Sequence, residues 1–136
     1  MDRSKWSMIK LTHVKEADGG LVCLQQNKEI PFNIERIFYI YDVPNQCMRA
    51  DHASENTEFV LIALNGHVIV SLDDGKKEEC FSLHEPNEGL FVPEKTWMKT
   101  YDFSDGAILL VVASKTYEEC KYFSSYQQFL TWKAGE

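Results

Sequence analysis

The chain has 136 residues, of which 44% are hydrophobic and 26% are charged, so it is large enough to bury a core as one globular domain. Its net charge of -7 argues against nucleic-acid binding, because neutralising phosphates requires a basic surface. The longest apolar runs, such as 107–113, are far shorter than the ~20 residues that cross a bilayer, so we expect no membrane partner.

The cysteines and the first residues indicate the compartment. The four cysteines are widely spaced and form no Cys-x-x-Cys pair. Residues 1–7 contain no long apolar segment of the kind found in a secretion signal. Both observations favour reduced thiols in the cytoplasm over disulfides or zinc ligands. Residues 1–7 are expected to be disordered or to be a remnant of expression.

The first half of the chain predicts short strands over 8–14, 21–25 and 34–42. The segment 34–42 is the clearest strand, because it is dense in β-branched and aromatic residues. Strand alternation divides its side chains between two faces. One face should carry Arg36, Phe38 and Ile40, and the other Ile37, Tyr39 and Tyr41.

A polar stretch over 49–59 precedes an apolar strand over 60–64. If this stretch enters a barrel as a strand, alternate side chains point into the barrel mouth. His52, Ser54 and Asn56 should then share that face. The stretch therefore contains the first candidates for a functional site.

The second half predicts strands over 66–72, 78–83, 90–93, 96–101 and 107–113. Asp74-Gly75 between two of them is a strong hairpin signal. Residues 116–132 are more polar, and Tyr122, Tyr126 and Phe129 are spaced as on one helical face, so one or two short helices or turns are expected there. The pattern predicts one all-β domain, a sandwich or barrel, with a short helical C-terminal segment.

Several segments resemble, in the same order, the sugar-nucleotide 3,4-ketoisomerases of the small cupin class, the WxcM-like enzymes. They are the strand 30–41, the turn 72–75, the pattern Pro86-x-x-Gly89 through Trp97, Phe103-Ser104, and Ala113-Ser114-x-x-Tyr117. The resemblance covers roughly residues 8–130 with almost no gaps. It implies a cupin (RmlC-like) jelly-roll β-barrel over residues 1–136.

The resemblance also implies an activity and partners. The substrate would be dTDP-4-keto-6-deoxyglucose or a related dTDP-linked keto-deoxy sugar, isomerised for deoxyamino-sugar and surface-polysaccharide synthesis. No cofactor is implied. A homodimer that exchanges an N-terminal strand is expected, and such pairing would also cover edge strands.

The chain departs from the family pattern at four polar positions. Where the family has Arg-Gly-x-His-Ala-His-Lys, this chain reads 49–55 as Arg-Ala-Asp-His-Ala-Ser-Glu. The first histidine is therefore His52, and Ser54 stands in place of the second. Other polar family positions fall on Gly19, Phe59 and Met98.

These departures argue against a metal site, because His52, Ser54, Phe59 and Met98 are a poor ligand set for zinc, iron or manganese. A 3,4-ketoisomerase needs no metal. Its proton shuttle is best supplied by an imidazole that titrates near neutrality, so His52 is the candidate base or acid. Tyr39 or Arg49 could stabilise the enolate as a donor.

Four residues are candidates for substrate binding: Arg36, Arg49, Ser54 and Trp97. The two arginines could bind a pyrophosphate, or could pair with Glu35 or Asp51 instead. Trp97 could stack on a thymine ring or fill the core.

Two hypotheses remain open at this point. The chain is either a 3,4-ketoisomerase working through His52, or a catalytically degenerate cupin that binds a nucleotide sugar or a partner protein without turnover. In the second case His52 is a hydrogen-bonded, idle histidine at a strand end.

Overall fold

The computed structural model describes residues 1–135. It contains eleven strands and one helix in these residues. The strands are β1 Ser7–Lys10, β2 Thr12–Glu16, β3 Gly19–Cys23, β4 Arg36–Tyr41, β5 Arg49–Ala53, β6 Phe59–Asn65, β7 Val68–Asp73, β8 Glu78–Leu83, β9 Glu88–Val92, β10 Trp97–Tyr101 and β11 Ile108–Ala113. The helix is α1 Tyr126–Ala134.

Two antiparallel sheets form the body of the molecule. One has five strands in the order β1-β9-β6-β11-β4, and the other has four in the order β5-β10-β7-β8. The two sheets pack face to face as a jelly roll, which confirms the predicted fold class. The sequence predicted a barrel, but in the described chain no strand pairing joins the two sheets into one closed barrel.

The main core lies between the two sheets. Apolar side chains that alternate along β6 and β11 face those of β7 and β10 across the interior. Its large buried side chains include Phe59, Leu61, Leu72, Leu109 and Met98. β4 and β5, which carry several of the candidate residues, are edge strands of the two sheets.

The outer face of the five-stranded sheet is partly covered by the N-terminal third of the chain. Leu11, Ile30 and Phe32 pack there on Val60 and Ile62. The predicted strand 8–14 is in fact two strands, because Leu11 turns inward and is buried while β2 leaves to pair with β3. All five residues of β2 are exposed.

Two side chains of residues 1–7 contact the body of the protein. Arg3 forms an ion pair with Glu58. The indole Nε1 of Trp6 donates to a carboxylate oxygen of Glu79 at 2.9 Å. Residues 1–7 therefore contact β8 through Glu79 and the residue that precedes β6, Glu58.

The C-terminal segment is shorter in helix than the sequence predicts. Residues 116–125 form turns and one isolated bridge, and only Tyr126–Ala134 is helical. The helix begins there because the Ser125 side chain accepts a hydrogen bond from the Gln128 amide and caps it. Phe129 packs with Trp97 and Phe123 on the outer face of the four-stranded sheet.

Candidate functional site

A cavity of about 840 Å³ opens beside β4 and β5. This volume lies within the usual range of small-molecule sites. Its lining includes side chains from β4, from β5 and from the turns that precede α1, among them Arg36, Phe38, Arg49, Asp51, His52, Tyr117 and Tyr122. Of the six candidate residues predicted from the sequence, the cavity brings together Arg36, Tyr39, Arg49 and His52.

His52 lies near the end of β5, opposite Met98 of β10. Its Nδ1 is buried and has no hydrogen-bond partner among residues 1–135. Burial lowers the pKa of His52 below the usual 6.5, and the nearby Arg36 adds to this effect while Asp51 opposes it. At pH 7 the neutral imidazole therefore predominates, which is the form that can accept a proton.

A β-bulge beside His52 sets how β5 enters the site. Between the pairs Met98–His52 and Thr100–Arg49, β5 has one more residue than β10. Ala50 adopts a positive φ of 53°, a conformation that favours glycine. The family pattern has glycine at this position, so the substitution by alanine keeps the bulge at some cost in backbone strain.

Arg36 begins β4 and extends its side chain beneath aromatic rings. Its Cζ lies 5.1 Å from the ring centre of Phe38 and 5.7 Å from that of Tyr117. These cation–π contacts hold the guanidinium plane without neutralising its charge. Its Nε and Nη2 are buried and have no hydrogen-bond partner within the described chain. The group therefore remains able to bind an anion.

Arg49 and Tyr39 take more exposed positions at the cavity. Arg49 is exposed at the first residue of β5. Tyr39 is 63% exposed, and the alternation of β4 places its ring on the face opposite Arg36, beside Tyr41. Within residues 1–135 neither arginine forms an ion pair with Glu35 or Asp51.

Ser54 lies outside the residues that line the cavity. The strand ends at Ala53, so His52, Ser54 and Asn56 do not share a face, contrary to the sequence prediction. The buried Ser54 hydroxyl accepts hydrogen bonds from the amides of Asn56 and Thr57 at 3.2 and 3.0 Å. Its placement makes Ser54 a stabiliser of this turn.

Trp97 also lies away from the cavity and fills a core. It packs against Phe129 and Tyr126 between the sheet and α1. Its Nε1 donates to Oδ1 of Asp51 at 2.7 Å. Of its two predicted roles, the structure places Trp97 in the core-filling one, with a second contact that orients Asp51 next to His52.

Tyr122 was missed as a site residue, because the sequence placed it on a helix. It lies instead in an extended segment bridged to Ser54, and its ring meets the His52 ring edge-on with centres 4.5 Å apart. Seventy residues separate these partners along the chain. No local pattern could reveal the contact.

The other three substituted family positions are outside the cavity lining as well. Phe59 and Met98 are 3% exposed and belong to the core between the sheets. Gly19 lies at the start of β3, where an added Cβ would meet open space. Within residues 1–135, none of the four substituted positions lines the cavity, whereas the retained histidine, His52, does.

Features of two other kinds of function are absent from residues 1–135. Among residues 1–135, no group of three or more His, Cys, Asp or Glu side chains is arranged to hold a metal ion. In the same part of the chain, no helix has the length and apolar character needed to span a membrane.

Comparison with known proteins identifies the family. The sequence model described as FdtA, WxcM-like, C-terminal, matches residues 4–134. A TDP-4-oxo-6-deoxy-alpha-D-glucose-3,4-oxoisomerase from Aneurinibacillus thermoaerophilus is 37% identical over 122 residues, covering 90% of this chain and 88% of that protein.

Solved structures agree with this match. A 3,4-ketoisomerase from Helicobacter canadensis superimposes with a TM-score of 0.90 at 37% identity, covering 95% of this chain and 97% of the other. A mutant of the 3,4-ketoisomerase QdtA from Thermoanaerobacterium thermosaccharolyticum, in complex with TDP-4-keto-6-deoxyglucose, gives a TM-score of 0.93 at 30% identity over 96% and 95% of the two chains. The prediction of family and isomerase class is confirmed: the chain belongs to the WxcM-like, C-terminal family, together with these 3,4-ketoisomerases.

Proposed function

We propose that this protein is a 3,4-ketoisomerase of dTDP-4-keto-6-deoxyglucose or a related keto-deoxyhexose nucleotide, serving deoxyamino-sugar synthesis. One observation carries the proposal. His52 and Arg36 line the same cavity, and one buried nitrogen of His52 and two of Arg36 have no partner in the described chain. Unpaired buried polar groups are costly, so a polar ligand would stabilise this arrangement. The relatives that act on TDP sugars support this choice of ligand.

The chemistry follows from the neutral imidazole and the nearby positive charge. His52 takes the proton from C3 of the sugar, and the C–H electron pair becomes the C3=C4 bond of an enediolate. Arg36 or Arg49 stabilises the negative charge or holds the pyrophosphate. When the C3 carbonyl forms, the imidazolium returns its proton to C4, and the proton of the C3 hydroxyl passes to the C4 oxygen, which becomes the new hydroxyl. The imidazole is neutral again at the end of the cycle.

Proton exchange in D2O tests the proposal. The protein is incubated with dTDP-4-keto-6-deoxyglucose, and NMR follows deuterium at C3 and C4 together with the 3-keto product. The proposal requires exchange and product. Binding of TDP without either would overturn it in favour of the catalytically degenerate cupin.

The state of His52 predicts the acid limb of the pH profile. Protonation removes the base, so kcat/KM falls as the pH drops through the pKa of His52. Because burial lowers that pKa below 6.5, the midpoint of the limb should lie below pH 6.5. Rate profiles and NMR titration of the His52 ring should give the same midpoint. A midpoint above 6.5 would contradict this assignment.

We also propose a homodimer with exchange of N-terminal strands. The outer face of β4, an edge strand, exposes Ile37 and Tyr41 at 57% and 61%. The β2–β3 hairpin forms a two-stranded sheet of its own and exposes Val14 and Leu21 at 48% and 60%. Exposed apolar groups and an unpaired edge strand are typical of an interface. In a homodimer, the hairpin of one copy could pair with the β4 edge of the other.

Sedimentation tests the dimer. The wild-type protein should sediment at twice 15.7 kDa, and Ile37→Lys or Leu21→Lys should shift it toward the monomer. Gln127→Lys adds the same charge on the exposed side of α1 and should leave the dimer intact. A wild-type monomer, or a dimer unaffected by both lysines, would contradict this proposal.

The compartment that we propose is the cytoplasm. The four cysteines Cys23, Cys47, Cys80 and Cys120 are all free thiols. A reducing compartment maintains thiols in this form.

A further inference from the structure

Tyr122 lies where the family pattern leads us to look for a second proton-transfer group. The residue in place of the second histidine is Ser54, whose hydroxyl is engaged by the turn amides. The backbone bridge partner of Ser54 is Tyr122. Whereas the Ser54 side chain is buried away from the cavity, that of Tyr122 lines the cavity and is 38% exposed.

Two backbone hydrogen bonds fix the segment that carries Tyr122. The amide of Glu55 donates to the Lys121 carbonyl at 2.7 Å, and the amide of Phe123 donates to the Ala53 carbonyl at 3.0 Å. These bonds lie on either side of the bridge and hold the tyrosine against the end of β5. The ring contact with His52 therefore rests on a rigid element, which is a requirement for precise catalysis.

The surroundings of the phenol keep its proton in place. Burial makes the largest contribution to raising the pKa of Tyr122 above the usual 10.0, and interaction with the Cys120 thiol raises it further. Interaction with Arg36 lowers this pKa and so opposes both effects. At neutral pH the group is a donor. Arg36 is the cation that can stabilise the phenolate when the proton leaves.

We propose that Tyr122 transfers protons between the two sugar oxygens while His52 transfers them between the two carbons; this inference rests on the function proposed above. As His52 takes the C3 proton and the C3=C4 bond forms, the phenol gives its proton to the C4 carbonyl oxygen. The resulting phenolate then takes the proton of the C3 hydroxyl as the C3 carbonyl forms. The imidazolium protonates C4, so both side chains return to their starting state.

Removing the hydroxyl while keeping the ring tests the proposal. Tyr122→Phe should lower kcat by about 100-fold, the scale of general acid–base catalysis, with little change in the Kd of TDP. Tyr122→Leu should lose no less activity than the phenylalanine variant. The control is Tyr126→Phe, because the Tyr126 hydroxyl bonds Asp73 outside the cavity, and it should retain wild-type kcat.

The outcomes separate the role of Tyr122 from the proposed function. If the wild-type protein turns over and Tyr122→Phe is equally active, the hydroxyl transfers no proton and this inference is wrong. If only Tyr122→Leu loses activity, the ring merely packs against His52, and the inference is likewise wrong. A wild-type protein without exchange at C3 would overturn the proposed function, and this inference with it. Loss of kcat in Tyr122→Phe with TDP binding retained supports the inference.

Discussion

Replacing His52 with asparagine should lower turnover of dTDP-4-keto-6-deoxyglucose by about 10³-fold or more, because the variant lacks a group that titrates near neutrality. Asparagine is smaller than histidine but also polar, and the variant loses the ring contact with Tyr122. Deuterium exchange at C3 should disappear together with product. Both are measured by NMR under the conditions used for the wild-type protein.

The control for this variant is ligand affinity. Arg36 and Arg49 are unchanged in His52→Asn, so the Kd of TDP should stay within a few-fold of the wild-type value. His13→Asn is a matched replacement on β2, outside the cavity lining, and should retain full turnover. Wild-type turnover by His52→Asn would remove this histidine from the mechanism.

The sandwich was predictable because burial imposes alternation on its strands. In β4, the predicted division of faces is observed, with Arg36, Phe38 and Ile40 partly buried and the intervening residues exposed. The prediction of one strand over 8–14 was wrong because the sequence keeps alternating while the chain changes its pairing partner at Leu11. Before Leu11, β1 pairs with β9, and after it, β2 pairs with β3. Which sheet a strand joins depends on distant residues, and a single sequence window carries little information about them.

The site was predictable only in part, because strand ends depend on non-local contacts. His52 and Arg36 lie on strands that can be recognised from the sequence, and the structure brings both residues to one cavity. Ser54 continues the same alternation in sequence but lies past the strand end, where its hydroxyl binds the turn. Tyr122 joins the site through a bridge across 68 residues, formed with Ser54 itself.

Arg36 links ligand binding to the ionisation of His52. Its guanidinium is held by Phe38 and Tyr117, lies in the cavity lining and opposes protonation of the imidazole. A bound pyrophosphate would neutralise part of this charge. The pKa of His52 should then rise when TDP binds, so that the imidazole becomes a better base once substrate is present.

Replacing Arg36 with methionine should weaken TDP binding by about 10- to 100-fold, since a hydrogen bond to a charged group contributes about 1.5–3 kcal/mol. Arg36→Lys should recover only part of the affinity, because an ammonium keeps the charge without the planar fork and its stacking on two rings. Titration calorimetry with TDP measures both variants. In the free protein, Arg36→Met should also raise the pKa of His52, since Arg36 lowers it.

The matched comparison is Arg49→Met, which removes the same charge from the same cavity. Arg49 is exposed, so water and salt screen its attraction for phosphate more strongly than that of the partly buried Arg36. Its replacement should weaken binding less, and the loss should shrink further at high salt. If Arg49→Met weakens TDP binding as much as Arg36→Met, the assignment of the anion site to Arg36 is wrong. The phosphates would then lie at the rim of the cavity, with Arg36 left to stabilise the enediolate.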